Sequence, residues 1–373
     1  MPGRSGPLDG VRVLDLTRFP PGAYCTSLLA DLGADVCRLQ PPVAGAGFVS
    51  VGLARNKRSV AVDLRHALGG EVLRRLAAWA DVVVEAERPG AMDERGFGYT
   101  AASSELPALI WCSISGYGQD GPLSQSSGHD LSYVAHSGLL AAIDPKLPWY
   151  PQTILSIPAA SLMAAVGIVS ALRERDRTGQ GCQIDISMSE AATWVLSGTD
   201  GELNGTPYGI PDGPDRHLYE CADGRWVVVA SAEPRTWAAL CDALDVNDLR
   251  DALHQWDDAG AVVERLAEIF RGRTADEWVA DLVPRGVAIA RANRGEELQH
   301  DPHAAARATL EQVGDVVVPR NPIRIRDSAG ERASAPSSPP VTADANTRDV
   351  LVEAGLSAEE IEELVASGAI AAS

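Results

Sequence analysis

Short apolar runs alternate with helical patterns through the first third of the chain, and this alternation restricts the fold more than any other feature. The strand-like runs are 11–16, 35–39, 59–64, 82–84 and 109–115. After the first run, Pro20 and Pro21 suit the first turn of a helix, and Leu28, Leu29 and Leu32 recur at helical spacing. Strands that alternate with helices build parallel sheets with helices on both faces. We therefore predict an α/β fold whose large domain has a Rossmann-like parallel sheet.

The pattern of predicted strands and helices changes after Gly205, where a second domain is expected to begin. Segments 217–221 and 226–230 predict a β-hairpin, because Asp223 and Gly224 supply the positive backbone angles of its turn. Helices are predicted next at 234–244, 258–271 and 275–283. The last of these opens with a capping box of Thr274 and Glu277. This segment is therefore predicted to form a small α+β domain.

The C-terminal part contains a proline-rich connector at 333–340 and then two short helical patterns. We expect these helices to pack on the first domain. The predicted organisation is a large domain from 1–204, a small α+β domain from 205–300, and a return to the large domain over 301–373.

The composition argues against nucleic acid and membranes as partners. With a net charge of −19, the chain lacks the basic face that nucleic acid or an anionic membrane surface requires. No apolar run reaches the ~18 residues of a membrane span, and the first residues lack the apolar segment of a signal peptide. We therefore expect a cytoplasmic protein that binds neither nucleic acid nor membrane.

Motifs for a metal or a tightly bound cofactor are missing from the sequence. No Gly-x-Gly-x-x-Gly follows the first strand, which argues against a nicotinamide or flavin cofactor. The six cysteines are scattered singly, and His300 and His303 have no third soft ligand nearby. We predict buried free thiols, no metal and no tightly bound cofactor.

Two polar segments carry the candidate chemistry. The segment 115–122 is rich in glycine and follows a strand, and Gly128-His129-Asp130 comes soon after it, which places an imidazole beside a carboxylate. The segment containing Arg55 and Lys57 is the only short basic cluster that follows a predicted turn. A lone histidine is usually structural and a charge run is usually solvated, so neither segment by itself requires a functional explanation.

Together with 28–36 and 55–64, these segments resemble the family III CoA-transferases, a superfamily that includes α-methylacyl-CoA racemase. The resemblance extends over nearly the whole chain, from 7–10 to 347–355. It implies an interlocked, ring-like homodimer and an acyl-CoA thioester as the partner, with coenzyme A present as part of the substrate.

The resemblance also implies a coenzyme A site. Pyrophosphate and phosphate groups require guanidinium or ammonium groups, even on an acidic protein. The matching basic residues are Arg38, Arg55, Lys57, Arg88 and Arg95. Relatives have the last arginine one residue earlier, where this chain has Glu94, and on a helix this shift rotates a side chain by about 100°.

The residues at the catalytic positions differ between the transferases and the racemases of this family. Transferases use an aspartate nucleophile, whereas racemases keep Gly-His-Asp and use acid–base groups on opposite faces of the α-carbon. This chain retains His129, Asp130 and Glu233 of the racemase type. Alignment without a gap places Ser156 where relatives have the aspartate, and only an alignment slip would bring Asp144 there.

Three functions remain open. The first is racemase- or isomerase-like α-proton chemistry, with His129 as the base and Asp130 setting its tautomer or charge. The second is CoA or acyl transfer, in which Ser156 would pair with His129 as a nucleophile. Ser156 is otherwise explained as a helix cap or packing residue. The third is a CoA-thioester-binding protein recruited to a new reaction.

Overall fold

A computed structural model describes residues 6–42, 49–143, 151–198, 213–328, 330–331 and 337–372. Contacts between residues divide the chain into two compact units. The large unit comprises Met1–Thr206 and Ala306–Ser373, and the small unit comprises Pro207–Ala305.

A seven-stranded sheet forms the centre of the large unit, in the order β14-β3-β2-β1-β4-β5-β6. Its strands are β1 (Arg12–Asp15), β2 (Asp35–Gln40), β3 (Arg58–Val62), β4 (Val82–Glu85), β5 (Ile110–Ser115), β6 (Gln183–Ser187) and β14 (Ile370–Ala371). Strands β1 to β6 are parallel, which confirms the predicted α/β class, and β14 pairs antiparallel with β3. The chain runs outward in both directions from β1 and β4. Such a switch point is where α/β sheets bind ligands, beyond the carboxyl ends of their strands.

Helices cover both faces of this sheet. Their bounds are α1 (Pro20–Asp31), α2 (Val51–Ala54), α3 (Gly69–Trp79), α4 (Ala91–Glu94), α5 (Tyr99–Glu105), α6 (Asp130–His136), α7 (Leu139–Ile143), α8 (Ser156–Thr178), α9 (Met188–Val195), α14 (Thr347–Glu353) and α15 (Ala358–Ser367), whereas α13 (Pro302–Ala306) belongs mainly to the small unit. One core cluster joins α3, α14 and α15 to the sheet, and a second joins α1, α8 and α9 to its other face. The C-terminal helices therefore pack on the sheet of the large unit. Central strands such as β4 are buried along their whole length, which explains their continuous apolar runs.

The longest helix, α8, is buried on one side and apolar on the other. Leu162, Val166 and Val169 are 56, 63 and 42% exposed. Within the described residues α8 is also the one helix long and apolar enough to cross a membrane by composition, although 44% of its most apolar stretch is buried inside the protein. A core helix of a globular protein passes the same test.

The small unit has its own antiparallel sheet and its own core. Strands β7 (Arg216–Glu220), β8 (Trp226–Ala230) and β9 (Ile289–Arg291) lie in that order, and the first two form the predicted hairpin. Its helices are α10 (Pro234–Leu244), α11 (Ala259–Phe270) and α12 (Ala275–Leu282), close to the predicted bounds. The core is aromatic: Tyr219 stacks on Phe270 with ring centroids 4.8 Å apart, and Trp237 is fully buried.

Two short hairpins and three 3-10 turns complete the described elements. The hairpins pair β10 (Leu310–Val313) with β11 (Val316–Pro319) and β12 (Arg326–Asp327) with β13 (Gly330–Glu331). The 3-10 turns are Leu196–Gly198, Asn247–Ala252 and Gly295–His300.

Candidate active site

A cavity of about 850 Å³ lies in the large unit, at the carboxyl ends of the parallel strands. Its wall contains Phe19 after β1, Arg88 after β4, Gly116 after β5 and Met188 after β6. His129, which precedes α6, completes this side of the wall. The volume is within the range of a small-molecule site, and its position is where a doubly wound sheet binds ligands.

His129 presents its imidazole on the cavity wall. The residue is exposed and has extended backbone angles (φ −129°, ψ 174°), because it is the N-cap of α6. Its backbone N–H donates to Ser132 Oγ at 3.4 Å. An accessible imidazole at this point can exchange a proton with a bound ligand.

Asp130 has a different environment, although it is the next residue. Its buried carboxylate accepts hydrogen bonds from Ser156 Oγ at 2.7 Å and from the backbone N–H groups of Leu155 and Ile157 at 2.9 and 3.0 Å. The carboxylate therefore caps the start of α8, where the helix dipole also stabilises negative charge. The partners of Asp130 in this structure are therefore at the start of α8, and its role toward His129 stays a prediction.

Ser156 is enclosed in the same cap. It is the first residue of α8, is 0% exposed, and donates its hydroxyl to Asp130. The hydroxyl is therefore bonded to a carboxylate and not to the imidazole, and the nucleophilic pair of Ser156 and His129 stays a prediction. The simpler expectation of a residue at the helix start agrees with this placement. Asp144, the alternative from an alignment slip, lies outside the described residues.

Glu233 belongs to the small unit. It is exposed, is the N-cap residue of α10, and its Oε2 accepts a hydrogen bond from Thr236 Oγ1 at 3.0 Å. Its role toward His129 stays a prediction.

Two of the expected phosphate ligands are buried in ion pairs. Lys57 is 4% exposed and donates to Asp15 Oδ2 at 3.0 Å and to Thr26 Oγ1 at 2.6 Å. Arg55 is 6% exposed and pairs with Asp31 Oδ2 at 2.5 Å. Both side chains therefore have carboxylate partners of their own, and their contact with coenzyme A stays a prediction. Each has a carboxylate on a neighbouring element, and exposing either would leave that carboxylate buried without its counter-charge.

Asp15 is the centre of this buried network. Burial raises its pKa, but the charge of Lys57 and the hydrogen bonds from Thr17 and Thr26 outweigh burial and hold the pKa below its usual value. Thr17 Oγ1 and Thr26 Oγ1 both donate to it at 2.6 Å. Asp15 is therefore an ionised carboxylate at neutral pH, and it fixes the end of β1 beside the cavity loop.

Arg38 and Arg88 are more accessible to an anion. The half-buried Arg38 has an enclosed Nε that finds no acceptor within the described part of the chain. Burial lowers the pKa of Arg38, and the charge of Asp15 opposes that change. Arg88 is exposed on the cavity wall and pairs with Glu94. Arg95 is an exposed residue that follows α4, away from the described cavity wall.

Sequence reasoning missed one aromatic member of the cavity wall. Tyr133 lies one helical turn after His129 and contributes to the same wall. The signal was present in the glycines, since a Cβ at Gly116 or Gly128 would come within 2.6 Å of the Tyr133 ring. Across the residues that the structure describes, no group of three or more His, Cys, Asp or Glu side chains is placed to hold a metal ion.

The doubly wound sheet and the imidazole-bearing cavity at its switch point define an α/β enzyme with a small-molecule site. The chain belongs to CoA-transferase family III, whose family model matches residues 8–345. It is 34% identical to α-methylacyl-CoA racemase of Mus musculus over 96% of each chain. It is 30% identical to the succinyl-CoA–L-malate CoA-transferase alpha subunit of Chloroflexus aurantiacus, over 96% of this chain and 91% of the relative.

Two solved structures have the same fold. Rv3272 of Mycobacterium tuberculosis superposes with a TM-score of 0.80 at 26% identity, covering 92% of this chain and 99% of that one. A CAIB/BAIF family protein of Brucella suis gives a TM-score of 0.77 at 27% identity, covering 94% and 100%. Racemases and transferases are thus both among the relatives of this enzyme.

Proposed function

We propose that the protein acts on acyl-CoA thioesters and that His129 removes and returns the proton on the carbon next to the thioester carbonyl. One observation carries this proposal: the His129 imidazole opens to the cavity, whereas Ser156 and Asp130 are bonded to each other at the start of α8. The side chain available to a bound ligand is therefore the imidazole of His129, which can act as a base. Ser156, which acyl transfer would use, is fully buried, and Asp130, although it is part of the cavity wall, already accepts three hydrogen bonds.

Histidine suits this reaction because its ordinary pKa lies close to physiological pH, so it both accepts and returns a proton. The electron pair of the broken C–H bond moves into an enolate, and its negative oxygen requires hydrogen-bond donors. The first turn of α6 follows His129 directly and has N–H groups without an intrahelical acceptor. These backbone donors lie on the side of the cavity from which the base acts.

Coenzyme A binds in this proposal through Arg38 and Arg88, with Arg95 as a peripheral contact. The enclosed, unpartnered Nε of Arg38 supports this assignment, since a buried donor without an acceptor is costly unless a ligand completes it. Arg55 and Lys57 act indirectly, because their ion pairs fix the loops around β1 and β3.

Proton exchange in D2O tests the reaction. An α-methylbutanoyl-CoA of the S configuration should exchange its α-hydrogen much faster than it loses stereochemical purity. The reason is that Ser156, predicted from the sequence to lie at the position of the relatives' carboxylate, is buried and offers no acid opposite the base. His129→Ala should abolish the exchange. Absence of exchange in the wild-type protein would contradict the proposal, and equal rates of exchange and racemisation would show that another group, such as Glu233, acts as the second acid.

CoA transfer is the second candidate, favoured by transferase relatives at 30% identity. It requires a carboxylate nucleophile. Among described residues of the cavity wall the carboxylates are Glu87 and Asp130, and Asp130 already accepts three hydrogen bonds. Peptide mass spectrometry after incubation with acyl-CoA decides this point: an acyl or CoA adduct on Glu87 or Ser156, without α-hydrogen exchange, would replace the first proposal by transfer. Binding without either reaction would indicate a CoA-thioester-binding protein.

A homodimer is part of the same proposal. The exposed apolar stripe of Leu162, Val166 and Val169 on α8, with Trp194 on α9 at 64% exposure, supports contact with a second copy. Interlocked rings separate only by unfolding, so sedimentation should show a dimer that persists at nanomolar concentration. A reversible monomer on dilution would rule out interlocking and leave an ordinary interface that follows mass action.

A further inference from the structure

Tyr133 lies where a second group could assist His129. It lies four residues later, in the first turn of α6, and its ring lies beside Gly128, the residue before His129. Both residues contribute to the wall of the cavity, and Tyr133 is 7% exposed. A ligand that places its α-carbon at His129 would therefore have its neighbouring carbonyl close to this second side chain.

Two glycines make room for the Tyr133 ring. A Cβ on Gly116 would fall 2.5 Å from Tyr133 Cε1 and 2.8 Å from its hydroxyl oxygen. A Cβ on Gly128 would fall 2.6 Å from the same carbon and 3.2 Å from the hydroxyl oxygen. The ring also packs edge-on against Tyr117, with centroids 5.1 Å apart at 82°. The hydroxyl is thus held beside the residue that immediately precedes His129.

The hydroxyl itself is available to a ligand. Within the described chain it makes no hydrogen bond, and it lies beside Gly116 and Gly128, which line the same cavity as Tyr133. Burial raises the pKa of Tyr133, and the neighbouring Tyr117 and Asp130 raise it further. The phenol therefore keeps its proton at physiological pH and acts as a donor.

We propose that Tyr133 donates a hydrogen bond to the thioester oxygen while His129 moves the α-proton, an inference that rests on the proposed function of His129. As the C–H bond breaks, its proton goes to the imidazole and its electron pair forms the enolate C=C bond. The carbonyl π pair moves to oxygen, where the Tyr133 O–H stabilises it and remains protonated. Return of a proton from the imidazole to carbon reverses each change.

Tyr133→Phe tests this role, because it removes the hydroxyl and keeps the ring between the two glycines. A donor to a developing oxyanion contributes about 10²–10³-fold to kcat. In D2O with S-α-methylbutanoyl-CoA, the variant should exchange the α-hydrogen about 10²-fold more slowly or worse, with KM changed less than about threefold. Tyr117→Phe is the matched control, since Tyr117 contacts the same ring but is not part of the cavity wall. It should retain wild-type kcat.

The outcomes separate the two proposals. If Tyr133→Phe exchanges within about threefold of wild type while His129→Ala is inactive, Tyr133 is not the donor and the role of His129 stands. If Tyr117→Phe loses as much as Tyr133→Phe, ring packing rather than the hydroxyl is responsible, and the inference is overturned. If the wild-type protein shows no exchange, both proposals fail. Equal melting temperatures of the two variants and the wild type verify that folding is unchanged.

Discussion

Lys57→Met should destabilise the protein strongly. The substitution keeps most of the side-chain volume but removes the charge that faces Asp15, which is 0% exposed. Breaking one partner of a buried ion pair costs about 3–5 kcal/mol, because the remaining charge is left uncompensated. With an unfolding entropy of about 2.1 cal/mol/K per residue over 373 residues, this free energy corresponds to a fall in Tm of about 4–6 °C. Urea unfolding monitored by tryptophan fluorescence measures the loss.

The pH dependence of this loss has a definite sign. In the wild type the pKa of Asp15 is held below its unfolded value, so its contribution to stability is present above the unfolded pKa and is lost as pH falls through the folded pKa. Removing Lys57 takes away the charge that lowers this pKa and leaves burial opposed only by hydrogen bonds from Thr17 and Thr26. We therefore expect the pKa of Asp15 to rise and the buried, uncompensated carboxylate to destabilise the folded state more as pH rises. The free energy of unfolding that Lys57→Met loses relative to the wild type should therefore be larger at pH 8 than at pH 5.

Two control variants show whether the loss of stability in Lys57→Met comes from the buried ion pair. Arg74→Met removes a half-exposed arginine that pairs with Glu71 on the same helix, and it should unfold close to the wild type. Asp15→Asn combined with Lys57→Met removes both charges and should recover part of the loss. If Lys57→Met unfolds within about 1 kcal/mol of wild type at pH 8, the buried ion pair is not a stabilising element and the reasoning is wrong.

Three further outcomes test the site. Arg88→Ala should weaken CoA binding about tenfold by calorimetry with little change in Tm, because Arg88 is 54% exposed; unchanged affinity would remove Arg88 from the site. Glu94→Ala should tighten CoA binding, since it releases the guanidinium of Arg88 from its ion pair; weaker binding would show that Glu94 positions Arg88. Ser156→Asp should lower stability at neutral pH more than at acidic pH, because it puts a second carboxylate beside the buried Asp130; a stable variant would mean that this helix start opens to the cavity.

The sheet could be predicted because strand and helix patterns are local. Each apolar run specifies its own element, and alternation of the elements specifies parallel pairing. The antiparallel addition of β14 to β3 could not be read this way, since its residues are only two in length and their partners lie at Ala61 and Val62, far away in the chain. The predicted hairpin succeeded because a two-strand turn is set by its own residues.

The candidate site shows the same difference between local sequence patterns and contacts between distant segments. A glycine-rich strand end followed by His129 is a local pattern, and the cavity lies there. The partners of Asp130 and Lys57, Ser156 and Asp15, come from distant segments, so the sequence could not predict these hydrogen bonds. Adjacent residues at a helix start point in different directions, so neighbours in sequence did not become partners in space.

The most direct test of the central claim is the α-hydrogen of S-α-methylbutanoyl-CoA, followed by NMR in D2O with the wild-type protein and His129→Ala. The wild type should replace the α-hydrogen by deuterium while most of the thioester keeps its configuration, and His129→Ala should leave the hydrogen in place. An α-hydrogen that survives with the wild-type protein, or exchange that persists after His129→Ala, would contradict the assignment of His129 as the base.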